Sequence, residues 1–245
     1  MIVSTSSAKV DVPDDVKIML GNAIVSRDYR AFNNIMTNND IDIPNMHFGL
    51  SDKLKDLNAL MFAAKHSSYI IIDELLDKYG FKDRMEEKDD CENTALFYAC
   101  HSGSVQTVRI LVEKGANLHA RGYENTTPFM MAFRSCNVNL IRYLLEENSS
   151  LIDDVDSRGW NGVMHMCRNP KHYSSTKILS ILDYISENFP NALNHRYTDS
   201  INKSTISYKG RTLYTGPVYG FDYDSDKNIL LATSGQRLFQ IFFKQ

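Results

Sequence analysis

The sequence predicts an all-α solenoid of about five repeats, each made of two short helices, closed by a small β-rich C-terminal cap. Three observations lead there. Similar apolar segments begin at Asn58, Thr94, Thr127 and Asn161, so successive starts are 36, 33 and 34 residues apart, a period that signals stacked repeats. Within each segment the apolar residues fall at helical spacing. After Tyr184 that spacing stops, and short apolar runs separated by turn residues replace it.

Residues 1–14 are expected to be a flexible N-terminus, 15–195 the repeat array with irregular terminal repeats, and 196–245 a β-like extension packed on the last repeat. The stretch VKIMLGNAIVSRDYRAFNNIMTNNDIDI fits two helices, with Met19, Leu20 and Ala23 facing inward from the first. Tyr29, Phe32, Ile35 and Met36 do the same for the second. It lacks the opening shared by the later segments, as suits a terminal repeat with one face in water.

In those later segments Thr94 and Thr127 are placed to hydrogen-bond backbone groups at the start of a helix, and Pro128 suits the first helical turn. Leu60, Leu96 and Phe129 point inward, and Ala63, Ala99 and Ala132 are small where neighbouring helices approach. Gly103 breaks the helix pair and can take a positive φ. Val105, Val108, Leu111 and Val112 make the apolar stripe of the second helix, which Gly115 stops. Ser67 and Ser68 stand where the Asn58 segment should have its glycine, and its exit, DKYGFKDRMEEKDD, is long. The last segment opens with Asn161-Gly162-Val163-Met164 instead.

A period near 33 with a Thr-Pro-Leu-His-like opening resembles the ankyrin-repeat family, most fully from Thr94 to Ala120. The resemblance spans about Asp15 to Ile185, and the extension departs from it. An alternative register near 161 puts His165 at the family's histidine. The resemblance implies recognition through fingertips, here Asp90, Glu92, Tyr123, Glu124, Arg158 and Trp160. It also implies contacts from exposed positions of the first helices, here Lys65, Tyr98, His101, Met131, Arg134 and Arg168, on the concave side. Trp160, the only tryptophan, is either a partner anchor or a packed finger residue.

Lys and Arg number 27 against 30 Asp and Glu, for a net charge of -3; this balance argues against a nucleic-acid binder. No apolar run reaches membrane-spanning length, so no membrane insertion is expected, and MIVSTSSAKVDVPDD does not read as a secretory leader. Cys91, Cys100, Cys136 and Cys167 form no CxxC pair and suit free thiols in a reducing compartment. The seven histidines are dispersed without HExxH spacing, and no GxSxG elbow, phosphate loop or dinucleotide fingerprint occurs. Asp222, Asp224 and Asp226 lack the glycine and distal glutamate of a calcium loop.

No catalytic, cofactor-binding or metal-binding residue is therefore assigned, and the expected protein is not an enzyme. It is a monomeric module that binds an intracellular protein partner by sequestration, blocking or bridging. Its expected location is the cytoplasm or nucleus, or the host cytoplasm if the source is a virus or intracellular bacterium. The alternative is an effector whose repeats target a partner while the extension carries an activity.

Overall fold

A computed structural model describes residues 12–39, 41–48, 57–167, 175–189 and 192, together with the backbone of strands between 204 and 242. Arg168 and nearly all of the expected flexible N-terminus lie outside the described residues. The chain divides into two compact units, 1–117 and 118–245.

The first unit holds α1 (Asp14–Ser26), α2 (Tyr29–Asn38), α3 (Ala59–Lys65), α4 (Tyr69–Lys78), α5 (Ala95–Ser102) and α6 (Val105–Glu113). Helices α1, α3 and α5 pack side by side in one layer, and α2, α4 and α6 in a second. The expected inward residues Leu60, Leu96, Ala63 and Ala99 are buried between neighbours. In α1 the buried stripe is Leu20, Ala23 and Ile24, at i, i+3, i+4. Met19 falls one position outside that stripe and is 55% exposed, contrary to the sequence reading. Phe32, Ile35 and Met36 carry the packing of α2, while Tyr29 is half-buried. In α6 Val108 and Leu111 are buried, and Val105 and Val112 are half-buried at the margins of the stripe.

The four helix pairs whose connections are described each bend through one residue with positive φ. Gly103 has φ 76°, and the same place is taken by Arg27 at 60°, Ser67 at 58° and, in the second unit, Cys136 at 51°. A side chain there costs about 1–2 kcal/mol, so three of these bends are held by the packing around them. A capping residue follows the bend in three of them: Asp28 accepts from the N–H of Ala31 at 3.0 Å, Ser104 from that of Thr107 at 3.3 Å and Asn137 from that of Asn139 at 3.1 Å. The long exit after α4 turns at Gly80, φ 74°, and buries Phe81 and Met85. A short hairpin, β1 (His47–Phe48) with β2 (Leu57–Asn58), leads into α3 and stacks Phe48 on Phe62 at 4.7 Å.

The second unit holds α7 (Pro128–Ser135), α8 (Val138–Glu147), α9 (Gly162–Cys167) and α10 (Ser175–Asn188), with α7 against α9 and α8 against α10. Thr127 caps α7 by accepting from the N–H of Met130, as expected. Thr94 does not cap α5: its buried hydroxyl has no hydrogen-bond partner among the described residues. Asn58 and Asn161 take the capping role in their repeats, accepting from Met61 and Met164 at 2.9 and 3.1 Å. That bond fixes the register of α9: Val163 is buried at the position of Leu60, Leu96 and Phe129. His165 then matches Tyr98 and Met131, and the alternative register is excluded.

Gly162 has its own reason. A Cβ built on it would lie 2.2 Å from the Phe133 ring, which is fully buried. Phe133 is large where α3 and α5 have Ala64 and Cys100, and Gly162 is small where they have Ala59 and Ala95. Farther on, β3 (Ser204–Tyr208) pairs antiparallel with β4 (Arg211–Gly216). β5 (Phe221–Asp224), β6 (Ile229–Ser234) and β7 (Arg237–Phe242) form an antiparallel three-stranded sheet.

Candidate partner-binding surface

Three five-residue fingers, 89–93, 122–126 and 156–160, precede α5, α7 and α9. In each, the first residue's N–H donates to the fifth residue's carbonyl: Asp89 to Asn93 at 3.0 Å, Gly122 to Thr126 at 2.8 Å, Asp156 to Trp160 at 3.0 Å. The fourth residue adopts the left-handed conformation, with φ 61° at Glu92, 60° at Asn125 and 75° at Gly159. Only the last is glycine, so the other two turns carry local strain of the kind that collects at recognition sites.

Two fingers are anchored by a carboxylate. Asp89 accepts from the N–H of Cys91 at 2.8 Å and of Asn93 at 2.9 Å, and from the Tyr98 hydroxyl. Asp156 accepts from the N–H of Arg158 and of Trp160, both at 2.8 Å, and from His165 Nε2 at 3.1 Å. A carboxylate can only accept, so Nε2 carries the proton. Tyr98 and His165 each stand nine residues after their aspartate, one helical turn into the following helix. The middle finger has Gly122 in place of the aspartate and Met131 in place of the donor; acceptor and donor are lost together.

The Asp156 anchor extends outward. Arg158 Nη2 lies 3.1 Å from both Asp156 Oδ2 and Glu124 Oε2, and its guanidinium sits 4.6 Å over the Trp160 ring. The Ser157 N–H donates to the Glu124 carbonyl at 2.8 Å, tying these two fingers to each other. Burial works to raise the Asp156 pKa, but the hydrogen bonds from His165, Trp160 and Arg158 prevail and hold it below the ordinary aspartate range. Burial and the Asp89 hydrogen bond push the Tyr98 hydroxyl well above its ordinary value. Burial likewise drives the Cys100 thiol up and Cys136 up to about 12.

A family model described as ankyrin repeats, in three copies, matches residues 20–122. That segment is an ankyrin-repeat array. Over 95 residues the chain is 34% identical to glycerophosphocholine phosphodiesterase gde1 of Schizosaccharomyces pombe, covering 38% of this chain and 8% of that protein. Over 92 residues it is 30% identical to the human transient receptor potential cation channel subfamily A member 1, covering 36% of this chain and 8% of the channel. The chain thus spans under a tenth of either relative.

The fingertip residues Asp90, Glu92, Tyr123 and Glu124 are exposed, Tyr123 at 63%. Arg158 is half-buried and committed to its two carboxylates. Trp160 is only 9% exposed, packed edge-on to His165 at 6.0 Å, so the packed-finger reading replaces the anchor reading. Of the first-helix positions, His101 is exposed and Lys65 and Arg134 are half-buried. Met131, expected to be exposed, is 2% exposed, and Tyr98 is half-buried and engaged with Asp89. Both correspond to the finger-anchoring position, which faces the loop before its helix. Sequence reasoning missed Asp89, Asp156 and His165 as anchors, although the repeated nine-residue spacing from aspartate to ring donor was visible.

Among the described residues no cluster of three or more His, Cys, Asp or Glu side chains could hold a metal ion, and no helix is long and apolar enough to cross a membrane.

Proposed function

We propose that the chain is a protein-interaction module that acts by occupancy, sequestering, blocking or bridging a protein partner without a catalytic step. One observation carries the reading: the fingers of the ankyrin repeats are built to hold exposed side chains still. Hydrogen bonds and left-handed turns fix their backbones, while Asp90, Glu92, Tyr123 and Glu124 face solvent. Rigid tips lose little entropy on association. The proposed contact residues are Asp90, Glu92, Lys65 and His101 on the first unit, and Tyr123, Glu124 and Arg134 on the second.

In this reading the 196–245 extension is a cap on the last repeat, supported by the need to cover an apolar run such as LFQIFF. Cys91, Cys100 and Cys136 form no disulfide among the described residues, and the last two are buried, which suits a monomer in a reducing compartment such as the cytoplasm or nucleus. The test is a comparative pull-down from cell lysate, each variant first shown folded by circular dichroism. A captured protein lost with Tyr123→Ala and Glu92→Ala, and retained by Trp160→Phe, supports the reading. Capture indifferent to every fingertip and first-helix substitution rejects it.

A further inference from the structure

The middle finger differs from the first and third at one peptide unit. In those two the third residue, Cys91 or Arg158, keeps a negative φ and gives its N–H to the anchoring aspartate. The fifth residue, Asn93 or Trp160, gives its N–H to the same carboxylate oxygen. Gly122 has no carboxylate to offer, and Glu124, the third residue here, is left-handed at φ 54°, ψ 31°. Asn125 follows at φ 60°, so two successive residues other than glycine hold a conformation their side chains disfavour.

The hydrogen bonds explain this turn. The Tyr123 carbonyl accepts from the Thr126 N–H at 3.1 Å and from the Thr126 hydroxyl at 2.8 Å, replacing the missing carboxylate as acceptor for the fifth residue. Across a trans peptide the C=O and the following N–H point in opposite directions. A Tyr123 carbonyl turned into the finger therefore turns the Glu124 N–H out of it. That N–H has no hydrogen-bond partner among the described residues, and Glu124 is exposed. The rest of Glu124 is fixed from the third finger, its carbonyl by the Ser157 N–H at 2.8 Å and its carboxylate by Arg158 Nη2 at 3.1 Å.

We infer that the Glu124 N–H and the Tyr123 ring, 63% exposed beside it, form a docking point for an extended segment of the protein partner. The segment gives a main-chain carbonyl to the N–H and lays an apolar side chain on the ring. This deepens the binding-module reading above and rests on it. A neutral carbonyl fits the donor better than an anion does, because the Glu124 carboxylate belongs to the same residue and repels negative charge. The first finger offers no equivalent donor, since Asp89 already takes the Cys91 N–H at 2.8 Å. The strain in Glu124 and Asn125 thus has a use: it turns a main-chain donor outward at the tip, and strained backbone of this kind collects at recognition sites.

The test has two parts, both on the full chain. In the 15N-labelled protein the Glu124 amide should exchange with water about tenfold faster than those of Cys91 and Arg158, which are hydrogen-bonded. Gly122→Asp and Gly122→Asn restore an acceptor, with and without a charge, and each should slow that exchange to match. Peptides are then selected from a random 12-residue display library, every variant first being shown folded by circular dichroism. The expected result is enrichment of peptides that lose binding to Tyr123→Ala and bind both Gly122 variants about tenfold more weakly, as loss of one hydrogen bond requires. A Glu124 amide as protected as the other two would overturn the inference. So would Tyr123-dependent peptides that bind both Gly122 variants unchanged. Peptides that need Asp90 or Glu92 and not Tyr123 would also overturn it, and that outcome leaves the binding-module reading intact. No enrichment at all would count against both readings.

Discussion

Replacing Asp156 by Ala should unfold the second unit far more easily than its single missing carboxylate suggests. The side chain accepts from the N–H groups of Arg158 and Trp160 and from Nε2 of His165. The half-buried Arg158 N–H can turn to water, whereas Trp160 and His165 are buried. Two buried donors left unsatisfied, at about 1–3 kcal/mol each, give a loss of roughly 2–6 kcal/mol. Asp156→Asn keeps one acceptor oxygen and should lose about half as much. Trp160, the only tryptophan, sits in this cluster and reports it directly, so urea titration followed by tryptophan fluorescence is the assay. A loss below about 1 kcal/mol for Asp156→Ala would refute the view that the carboxylate holds the finger. The pH dependence adds a second check. The folded pKa lies below its unfolded value, so the stabilisation is complete above the ordinary aspartate range. It is lost as pH falls through the folded pKa. The gap between wild type and Asp156→Asn should hold from neutral pH to about pH 5 and shrink below about pH 4; a gap constant down to pH 3 would contradict it.

Gly162→Ala should destabilise the second unit by about 1–3 kcal/mol through overpacking against Phe133, and the penalty should shrink when Phe133→Leu is added, read as a double-mutant cycle in urea. Tyr98→Phe, which leaves Asp89 without its hydroxyl donor, should lower first-unit stability by about 1–2 kcal/mol in circular-dichroism melts. Gly103→Ala, at φ 76°, should cost about 1–2 kcal/mol in the same measurement. With a thiol reagent at pH 8, half-exposed Cys91 should react in the native chain, while Cys100 and Cys136, buried and raised in pKa, should react only after urea is added.

The sequence made the helix pairs legible because Leu60, Leu96 and Phe129 and their alanine partners answer to a single period. It was less informative about bends. Arg27, Ser67 and Cys136 occupy left-handed positions where sequence alone looks for glycine, since the surrounding contacts impose a conformation that no local preference selects. Exposure on the first helices was misread for a related reason. Met131 and Tyr98 lie on the face that the family resemblance assigns to solvent, but the finger folds back over that face, and a loop's path is not periodic. Trp160 looked like an anchor by residue type; the carboxylate beneath it, Asp156, is what draws the finger inward.

The pairing of Phe133 with Gly162 has a bearing on how such an array could be rearranged. Most shuffling of repeats assumes interchangeable bricks, each offering the same surface to the next. Here one brick has a protrusion and its successor a matching notch. Moving the α9 repeat elsewhere would leave a hole, and setting a standard alanine-bearing repeat after α7 would drive a methyl group into an aromatic ring. The order of these two repeats is thereby written into their shapes, and any duplication or deletion between them would have to change both residues at once.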